Sequence, residues 1–184
     1  RKFAAWFYNH CDQVTAPSKS MIEELKEYGL KVPTNVISNI IPTDVFKPLG
    51  GKDSLKKKFG VNGKGVLIFG RVPKEKNLDF ALEVFAEAAK EEEMTFVVLG
   101  HGPHAEELQQ KAESMGVNSK FLGALRGKAL VEAINACDLY LITSTSDTQS
   151  MTTLQSMACE LPVVGAKAGG LPEYILDGLT GFVV

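Results

Sequence analysis

The 184-residue sequence has few cysteines, no long apolar run and almost no net charge. Its three cysteines, Cys11, Cys137 and Cys159, form no Cys-x-x-Cys or Cys/His group, which disfavours a disulfide scaffold and indicates a reduced, cytoplasmic protein. No stretch approaches the ~18 apolar residues of a membrane-spanning helix, and the N-terminus lacks a signal-peptide pattern. Twenty basic and 22 acidic residues give a net charge of −2, which argues against a general nucleic-acid-binding surface.

Apolar runs of strand length alternate with stretches that have helical spacing over most of the chain. The predicted strands are GVLIFG (65–70), TFVVLG (95–100), KFLG (120–123), DLYLIT (138–143), PVVGA (162–166) and the terminal TGFVV. The predicted helices cover 77–93, 104–116, 127–138 and 151–160. Because strands that are apolar throughout belong to sheets covered on both faces, the pattern predicts a Rossmann-like, doubly wound parallel α/β domain over about 64–184.

The first 60 residues have a different pattern. Two short strands, 13–17 and 35–38, flank one predicted helix, 18–29, which Ser18 is placed to cap. The polar, proline-containing stretch 41–53 is interpreted as a linker. Since the chain opens on arginine and stops in a predicted strand, we expect it to be a piece of a longer polypeptide.

The loop after the first strand of the α/β region carries two cations. Ligands of open parallel sheets bind beyond the carboxyl ends of the strands. Arg71 and Lys76 follow the strand that ends at Gly70, and a guanidinium with an ammonium suits a diphosphate. On spacing alone, a solvated basic loop is an equally good interpretation.

The glycine-containing loop GHGPHAEE (100–107) does not match a known nucleotide fingerprint. It lacks the third glycine of G-x-G-x-x-G, and Pro103 is better suited to the first turn of the following helix. No G-x-x-x-x-G-K-[ST] motif is present either. His101 and His104 are expected on the surface, because no cysteine and carboxylate set accompanies them as metal ligands.

The loop STSDTQS (144–150) leads directly into a helix that should begin near Ser150 or Met151. A helix start exposes unpaired N–H groups and partial positive charge, so it can seat a phosphate. Asp147 precedes this start and Gln155 follows it, near the same predicted pocket. A simple N-capping loop is the alternative interpretation. In the later segment 165–178, Gly169 and Gly170 permit close backbone approach, and Glu173 either binds a ligand or sits in the first turn of a short helix.

Taken together, six ordered segments of the sequence resemble the retaining glycosyltransferases of family 4, which have the GT-B fold. The segments are CDQVTAPSKSMIEELKEYG, GRVPKEKNLDFALEVFAEA, FVVLGHGPHAEEL, FLGAL, ACDLYLITSTSDTQSMTTLQSMACELPVV and AGGLPEYILDGLTGFVV. The resemblance implies that 1–50 are the end of an N-terminal domain and its linker. It also implies that 51–184 are the C-terminal nucleotide-sugar-binding domain, truncated at its end.

The resemblance also implies roles for individual residues. Arg71 and Lys76 would hold the donor diphosphate, Asp147 would lie near the donor sugar, and Gln155 would bind the ribose hydroxyls. The remaining donor-site positions are Gly70, Gly102, Gly123, Ala124, Leu125, Thr148, Gln149, Ser150, Met151 and Thr152. Of these, Gly123 to Leu125 would border the base, and the backbone amides of Gln149 to Thr152 would receive phosphate oxygens. No metal and no further cofactor is implied.

Four positions depart from the family pattern, and one string of residues points to a subgroup. Asp147 and Gln155 stand where the family has glutamates, whereas Ser150 and Glu160 stand where it has glycines. The string Asp147-Thr148-Gln149-Ser150 is similar to the Glu-Thr-Gln-Gly of diacylglycerol glucosyltransferases. UDP-glucose is therefore the favoured donor, and a glycolipid or saccharide acceptor, with diacylglycerol first, is expected to bind through the missing domain.

Two other functions are compatible with the same resemblance. One is a non-catalytic nucleotide-sugar-binding or regulatory subunit, which the altered Asp147 and Gln155 favour. The other is a nucleotide-sugar epimerase of the same fold. For an enzyme, the isolated chain is expected to be inactive, and the full-length protein is expected to be cytoplasmic with peripheral membrane contact and no nucleic-acid partner.

Overall fold

The computed structural model describes residues 2–184, and its larger sheet has six parallel strands. The strands are β3 (Lys64–Phe69), β4 (Met94–Leu99), β5 (Ser119–Gly123), β6 (Leu139–Ile142), β7 (Val163–Gly165) and β8 (Gly181–Val183). Their order across the sheet is β5-β4-β3-β6-β7-β8, and every neighbouring pair is parallel. The predicted doubly wound α/β architecture is thus confirmed.

Helices cover both faces of this sheet. They are α4 (Leu78–Ala88), α5 (Ala105–Ser114), α6 (Gly127–Asn135) and α7 (Met151–Ala158). On one face, Leu82 and Phe85 of α4 and Leu108 of α5 pack against Phe96 of β4. On the other, α6 and α7 pack against the alternate side chains of the same strands. Because both faces are buried, the strands read as continuous apolar runs in the sequence.

The part of the chain before the large sheet forms a second, two-stranded parallel sheet. It contains α1 (Lys2–Tyr8), β1 (Val14–Ala16), α2 (Lys19–Glu27) and β2 (Thr34–Val36), and α3 (Lys52–Phe59) follows. The predicted strands and helix are present, and Ser18 Oγ accepts a hydrogen bond from Met21 N at 3.4 Å as the N-cap of α2.

Two helices were not predicted, and the predicted linker 41–53 overlaps one of them. The helix α3 has three consecutive lysines and no fully buried residue, so its apolar face, Leu55 and Phe59, is too narrow to give a helical pattern. In α1, Phe3, Trp6 and Phe7 remain exposed, so the apolar pattern does not match a buried face. None of the helices in the described part of the chain is long and apolar enough to cross a bilayer.

The chain reverses its direction of sheet growth between β3 and β6. From β3 it builds outward to β4 and β5, then returns so that β6 pairs with β3, with Val66 opposite Leu139 and Leu67 opposite Tyr140. The helices that follow these two strands therefore diverge to opposite faces and leave a crevice at the carboxyl edge. This is the topological switch point at which doubly wound sheets bind their ligands.

Candidate functional site

A cavity of about 270 Å³ occupies the switch point between β3 and β6. The ends of both strands, the loop after each and the N-terminus of α7 line it. Eight of the predicted site residues meet there: Gly70, Arg71, Lys76, Asp147, Gln149, Ser150, Met151 and Thr152. Residues 70–76 and 147–152, from two separate loops, are therefore brought to one pocket.

The centre of the cavity is an ion pair between Lys76 and Asp147. The Lys76 Nζ lies 2.6 Å from Oδ1 and 2.7 Å from Oδ2 of Asp147, and 3.3 Å from Ser144 Oγ. The two side chains are only 23% and 17% exposed. Because solvent screens such a pair less than a surface pair, both charges are held firmly at the mouth of the pocket.

The main chain around Lys76 is also fixed. Lys76 ends a short 3₁₀ turn, Lys74–Lys76, and the next residue, Asn77, has a φ of +55° although it is not glycine. The Thr143 hydroxyl, at the end of β6, donates to the carbonyl oxygens of Lys76 and Asn77, both at 3.0 Å. The end of one central strand thereby positions the cation that follows the other.

The N-terminus of α7 faces the same cavity. Ser150 is its N-cap, and Ser150 Oγ accepts from Thr153 N at 3.3 Å, so the sequence-based start of the helix is confirmed. The N–H groups of Met151 and Thr152 lie in the first turn, where helix geometry supplies no intrahelical acceptor. The positive end of the helix dipole therefore lies beside the Arg71 and Lys76 cations, as an anion site requires.

A group of hydroxyls that the sequence did not reveal supports this helix start. The Tyr140 hydroxyl lies 3.0 Å from Thr152 Oγ1, which lies 2.9 Å from Ser150 Oγ, and Tyr174 Oη accepts from Ser150 N at 2.9 Å. Burial raises the pKa of Tyr140, and burial raises the pKa of Tyr174 to about 12. Both phenols remain neutral hydrogen-bonding groups. Their only sequence signal was the polar position that each leaves in an otherwise apolar segment.

The segment that follows β2 also reaches the site. Gln149 Oε1 accepts from Asn39 N at 2.6 Å, and Gln149 Nε2 donates to Ser38 Oγ at 2.9 Å. The interaction was not predicted, because it joins positions about 110 residues apart in a polar loop without periodic pattern. The side chain of Gln149 is thus held at the rim of the pocket by the segment after β2.

The sequence left two roles open for Glu173. In the structure, its carboxylate accepts hydrogen bonds from the first turn of α2. Its Oε2 accepts from Lys19 N and its Oε1 from Ser20 N, each at 2.7 Å. Partial burial acts to raise the pKa of this carboxyl, but the hydrogen bonds from the two N–H groups outweigh it and the pKa is lowered. Glu173 also lies in the short 3₁₀ helix Leu171–Glu173, so the short-helix interpretation is confirmed.

A second cavity of about 240 Å³ adjoins the first through Gly70 and Arg71. Ala124 and Leu125, the predicted neighbours of the base, line it together with Leu99, Gly100 and His101. Gly123 lies just behind, where its carbonyl oxygen accepts from Gly100 N at 2.8 Å. Arg71 therefore lines both the cavity at the switch point and this second, mostly apolar cavity.

Four predicted residues line neither cavity: Gly123, described above, and Gly102, Thr148 and Gln155. The backbone of Val72 leaves no room for a β-carbon at Gly102, so this glycine serves close packing of two loops. The carbonyl oxygen of Thr148 packs in the same way against Gly170. Gln155 lies in the second turn of α7, outside the cavity lining that we predicted it to reach.

The histidine loop differs from the prediction. His101 is exposed as expected, but His104 is only 1% exposed and not a surface residue. Its Nε2 lies 2.6 Å from Asp79 Oδ2 and its Nδ1 lies 3.2 Å from Glu107 Oε2. Pro103 lies in the turn before α5 rather than in its first helical turn, because His104 is the N-cap.

A larger cavity, of about 830 Å³, lies at the opposite edge of the sheet. Glu83, Glu87, Glu92 and Glu93 line it together with Lys90. This excess of negative charge repels phosphate groups, so the cavity is a poor anion site. Residues 2–184 contain no cluster of three or more histidine, cysteine or acidic side chains placed to hold a metal ion.

The fold defines a Rossmann-like domain, and the two cations at its switch point mark a candidate anion-binding site. The chain belongs to the family described as Glycosyl transferases group 1, whose model matches residues 63–184. It is 30% identical over 184 residues to alpha-monoglucosyldiacylglycerol synthase of Streptococcus pneumoniae, in a match that covers 95% of this chain and 42% of that protein. The predicted resemblance is confirmed.

Solved structures place the chain within the larger fold. The crystal structure of Anabaena HepE in complex with UDP and glucose has a TM-score of 0.88 and 26% identity, over all of this chain and 52% of that one. The C-terminal domain of LpcC, a glycosyl transferase group 1 protein of Francisella tularensis, has a TM-score of 0.69 and 27% identity, over 79% and 80%. The α/β region is thus a C-terminal GT-B domain, and the chain spans about half the length of the relatives it matches.

Proposed function

We propose that this chain binds the nucleotide-sugar donor of a retaining hexosyltransferase. In this proposal, residues 51–184 are the donor domain and residues 1–50 belong to the end of the preceding domain and its linker. The observation that carries it is the meeting of Arg71, Lys76 and the start of α7 around one cavity at the switch point. Two cations and a helix dipole match the charge of a diphosphate.

The same groups supply a mechanism for departure of the nucleotide. During transfer, the bond between the anomeric carbon of the sugar and the diphosphate oxygen breaks, and negative charge builds up on the diphosphate. Arg71, Lys76 and the first-turn N–H groups of α7 stabilise that charge. Because the Thr143 hydroxyl already fixes the main chain at Lys76 and Ser150 already caps α7, these two groups reorganise little during the step.

Before transfer, binding of the donor changes the partner of Lys76. A phosphate oxygen of the donor competes with Asp147 for the Lys76 ammonium, because the phosphate and the carboxylate cannot both lie equally close to it. Asp147, once released, is free to accept hydrogen bonds from hydroxyls of the donor sugar. In this proposal the ion pair of 2.6 Å is the resting state of the site.

UDP-glucose and a diacylglycerol-based acceptor are the substrates that we favour. The name of the S. pneumoniae relative specifies a glucosylated diacylglycerol, and the structurally similar HepE was crystallised with UDP and glucose. The string Asp147-Thr148-Gln149-Ser150 supports the same choice. In the full-length protein, the acceptor would approach from the preceding domain, with peripheral contact at the membrane.

A non-catalytic nucleotide-sugar-binding subunit is the second candidate. Gln155 is neutral and lies outside the cavity lining, which favours this function. Both candidates require the donor site, so nucleotide binding tests their shared basis. Transfer of glucose by the full-length protein then distinguishes them.

Calorimetric titration of this chain with UDP, UDP-glucose, GDP and GDP-mannose is the direct test. We expect selective binding of the uridine nucleotides, weakened about tenfold or more by Arg71→Ala and by Lys76→Ala, since each removes a charge-assisted contact. Lys90→Ala is the matched control, because Lys90 is a surface cation paired with Glu87 far from the site. Equal binding by wild type and both site variants would contradict the proposal.

A further inference from the structure

His104 is a buried ionisable side chain that does not line the donor cavity. It is 1% exposed and lies at the N-cap of α5, where both of its ring nitrogens approach a carboxylate. Asp79 Oδ2 lies 2.6 Å from Nε2, and Glu107 Oε2 lies 3.2 Å from Nδ1. The two ring nitrogens thus face different carboxylates, one on α4 and one on α5.

Both partners of His104 connect to the segment that carries Lys76. Asp79 is the second residue of α4, three positions after Lys76. Glu107 forms an ion pair of 2.8 Å with Lys74, which opens the 3₁₀ turn that Lys76 ends. The histidine network thus contacts the chain on either side of Lys76.

The main chain of His104 forms a third connection to the same segment. His104 N donates to Val72 O at 3.0 Å, and Val72 N donates to His101 O at 3.0 Å. Gly102 allows this approach, because a β-carbon there would collide with the Val72 backbone. Val72 directly follows Arg71, so the loop of both cations is bound to the His101–His104 turn.

We propose that His104 is a positioning residue that holds Arg71 and Lys76 in place for the donor diphosphate. Lys111 extends the network by pairing with Asp79 at 3.2 Å and with Glu83 at 2.8 Å. Thr143 holds Lys76 from the β6 side, and His104 holds the opposite side of the same segment. The inference rests on the proposed donor site.

The test separates loss of positioning from loss of stability. Affinities of the wild-type chain and His104 variants for UDP and for uridine are measured by titration, and thermal unfolding is followed in parallel. His104→Ala removes both carboxylate contacts, and we expect UDP to bind about tenfold more weakly while uridine binding is unchanged. A merely structural residue would weaken both ligands alike, or change the melting temperature alone.

Two conservative variants show which contact matters. The amide nitrogen of a glutamine side chain reaches about as far as Nε2, and that of an asparagine about as far as Nδ1. His104→Gln therefore keeps the Asp79 contact, and we expect it to restore more of the UDP affinity than His104→Asn, since Asp79 lies closer to the ring. Equal behaviour of the Ala, Asn and Gln variants would count against positioning through these carboxylates.

Leu108→Ala is the matched control for a cavity under α5. Leu108 is fully buried in the core cluster under α5, and its apolar side chain takes no part in the carboxylate contacts of His104. It should lower the melting temperature without a UDP-selective loss. If the His104 variants do not fold, the exposed Glu107→Gln tests the same tether, with a smaller UDP-selective loss expected.

The outcomes also distinguish this inference from the proposed function. A wild-type chain that binds no UDP overturns both. UDP binding that Lys76→Ala weakens, but that His104→Ala and Glu107→Gln leave unchanged, overturns only the role of His104.

Discussion

The ammonium of Lys76 bridges both carboxylate oxygens of Asp147, at 2.6 Å and 2.7 Å. The residues come from loops after different strands, 71 positions apart. Their contact means that the cation proposed to bind the donor diphosphate is neutralised before the donor arrives. Asp147 therefore competes with phosphate for Lys76, and removal of its charge should strengthen the binding of a diphosphate.

Asp147→Asn should strengthen the binding of UDP by this chain about three- to tenfold, the range typical of charge coupling between neighbouring groups. The variant frees Lys76 and removes a negative charge beside the diphosphate. UDP-glucose should gain less than UDP, because an amide accepts hydrogen bonds from the sugar less strongly than a carboxylate. Titration of both ligands gives the comparison, and weaker binding of UDP by the variant would contradict the competition.

Glu160→Gly should stabilise the chain by about 0.5–1 kcal/mol. Glu160 follows α7 with a φ of +60°, and the bonds from Glu160 N to Met157 O and from Leu161 N to Ser156 O form a Schellman motif. Only glycine adopts this conformation without strain. Denaturant unfolding measures the effect, with Glu160→Ala as the control for the lost charge; a Gly variant no more stable than the Ala variant would refute the strain.

The sequence predicted the fold well because the sheet is buried on both faces. Apolar runs such as those of β3 and β4 are typical of buried strands in a chain of this composition, and a glycine follows each of them. The boundaries were less accurate: the helix expected over 77–93 ends at Ala88, after which the chain turns. The charged residues that follow Ala88 are typical of a helix in composition, but they do not bury an apolar face.

The site was predicted only in part, for a physical reason. Loop residues that follow a strand, such as Arg71 and Lys76, can be assigned to the site from the sequence, because the end of the strand fixes their position at the edge of the sheet. The contacts of Gln149 with Ser38 and of Glu173 with Lys19 join distant loops, so only the folded chain reveals them. His104 lies buried in a polar loop, where composition predicted exposure.

Glu173→Gln should lower the stability of the chain at neutral pH by about 1 kcal/mol, the typical contribution of a helix cap. The amide that replaces the carboxylate has one acceptor oxygen instead of two, so one of the N–H groups of Lys19 and Ser20 loses its partner. Thermal unfolding at pH 7 measures the loss, and Glu23→Gln, on the same helix, is the control for charge alone.

The difference in stability between the wild-type chain and Glu173→Gln should depend on pH. The pKa of Glu173 is lowered in the folded chain from its ordinary value of 4.5, because the hydrogen bonds to α2 outweigh its partial burial. Its contribution to stability is therefore full above that value and is lost as the pH falls through the lowered, folded-state pKa. The difference between wild type and Glu173→Gln should shrink over this acidic range, and a constant difference would contradict the role of the ionised carboxylate.

Gly170→Ala should disturb the loop that carries Asp147 and Thr148, although Gly170 belongs to a different segment of the chain. A β-carbon at Gly170 would collide with the carbonyl oxygen of Thr148, and Gly170 N donates to Asp147 O at 2.9 Å. Relief of the clash must move the loop that presents Asp147, so we expect a stability loss of about 1–3 kcal/mol, as for other overpacked sites, together with weaker UDP-glucose binding. Gly50→Ala is the matched control, because Gly50 has open space around it and no positive φ. The control should unfold and bind like wild type, and a Gly170→Ala variant that did the same would show that this loop tolerates displacement.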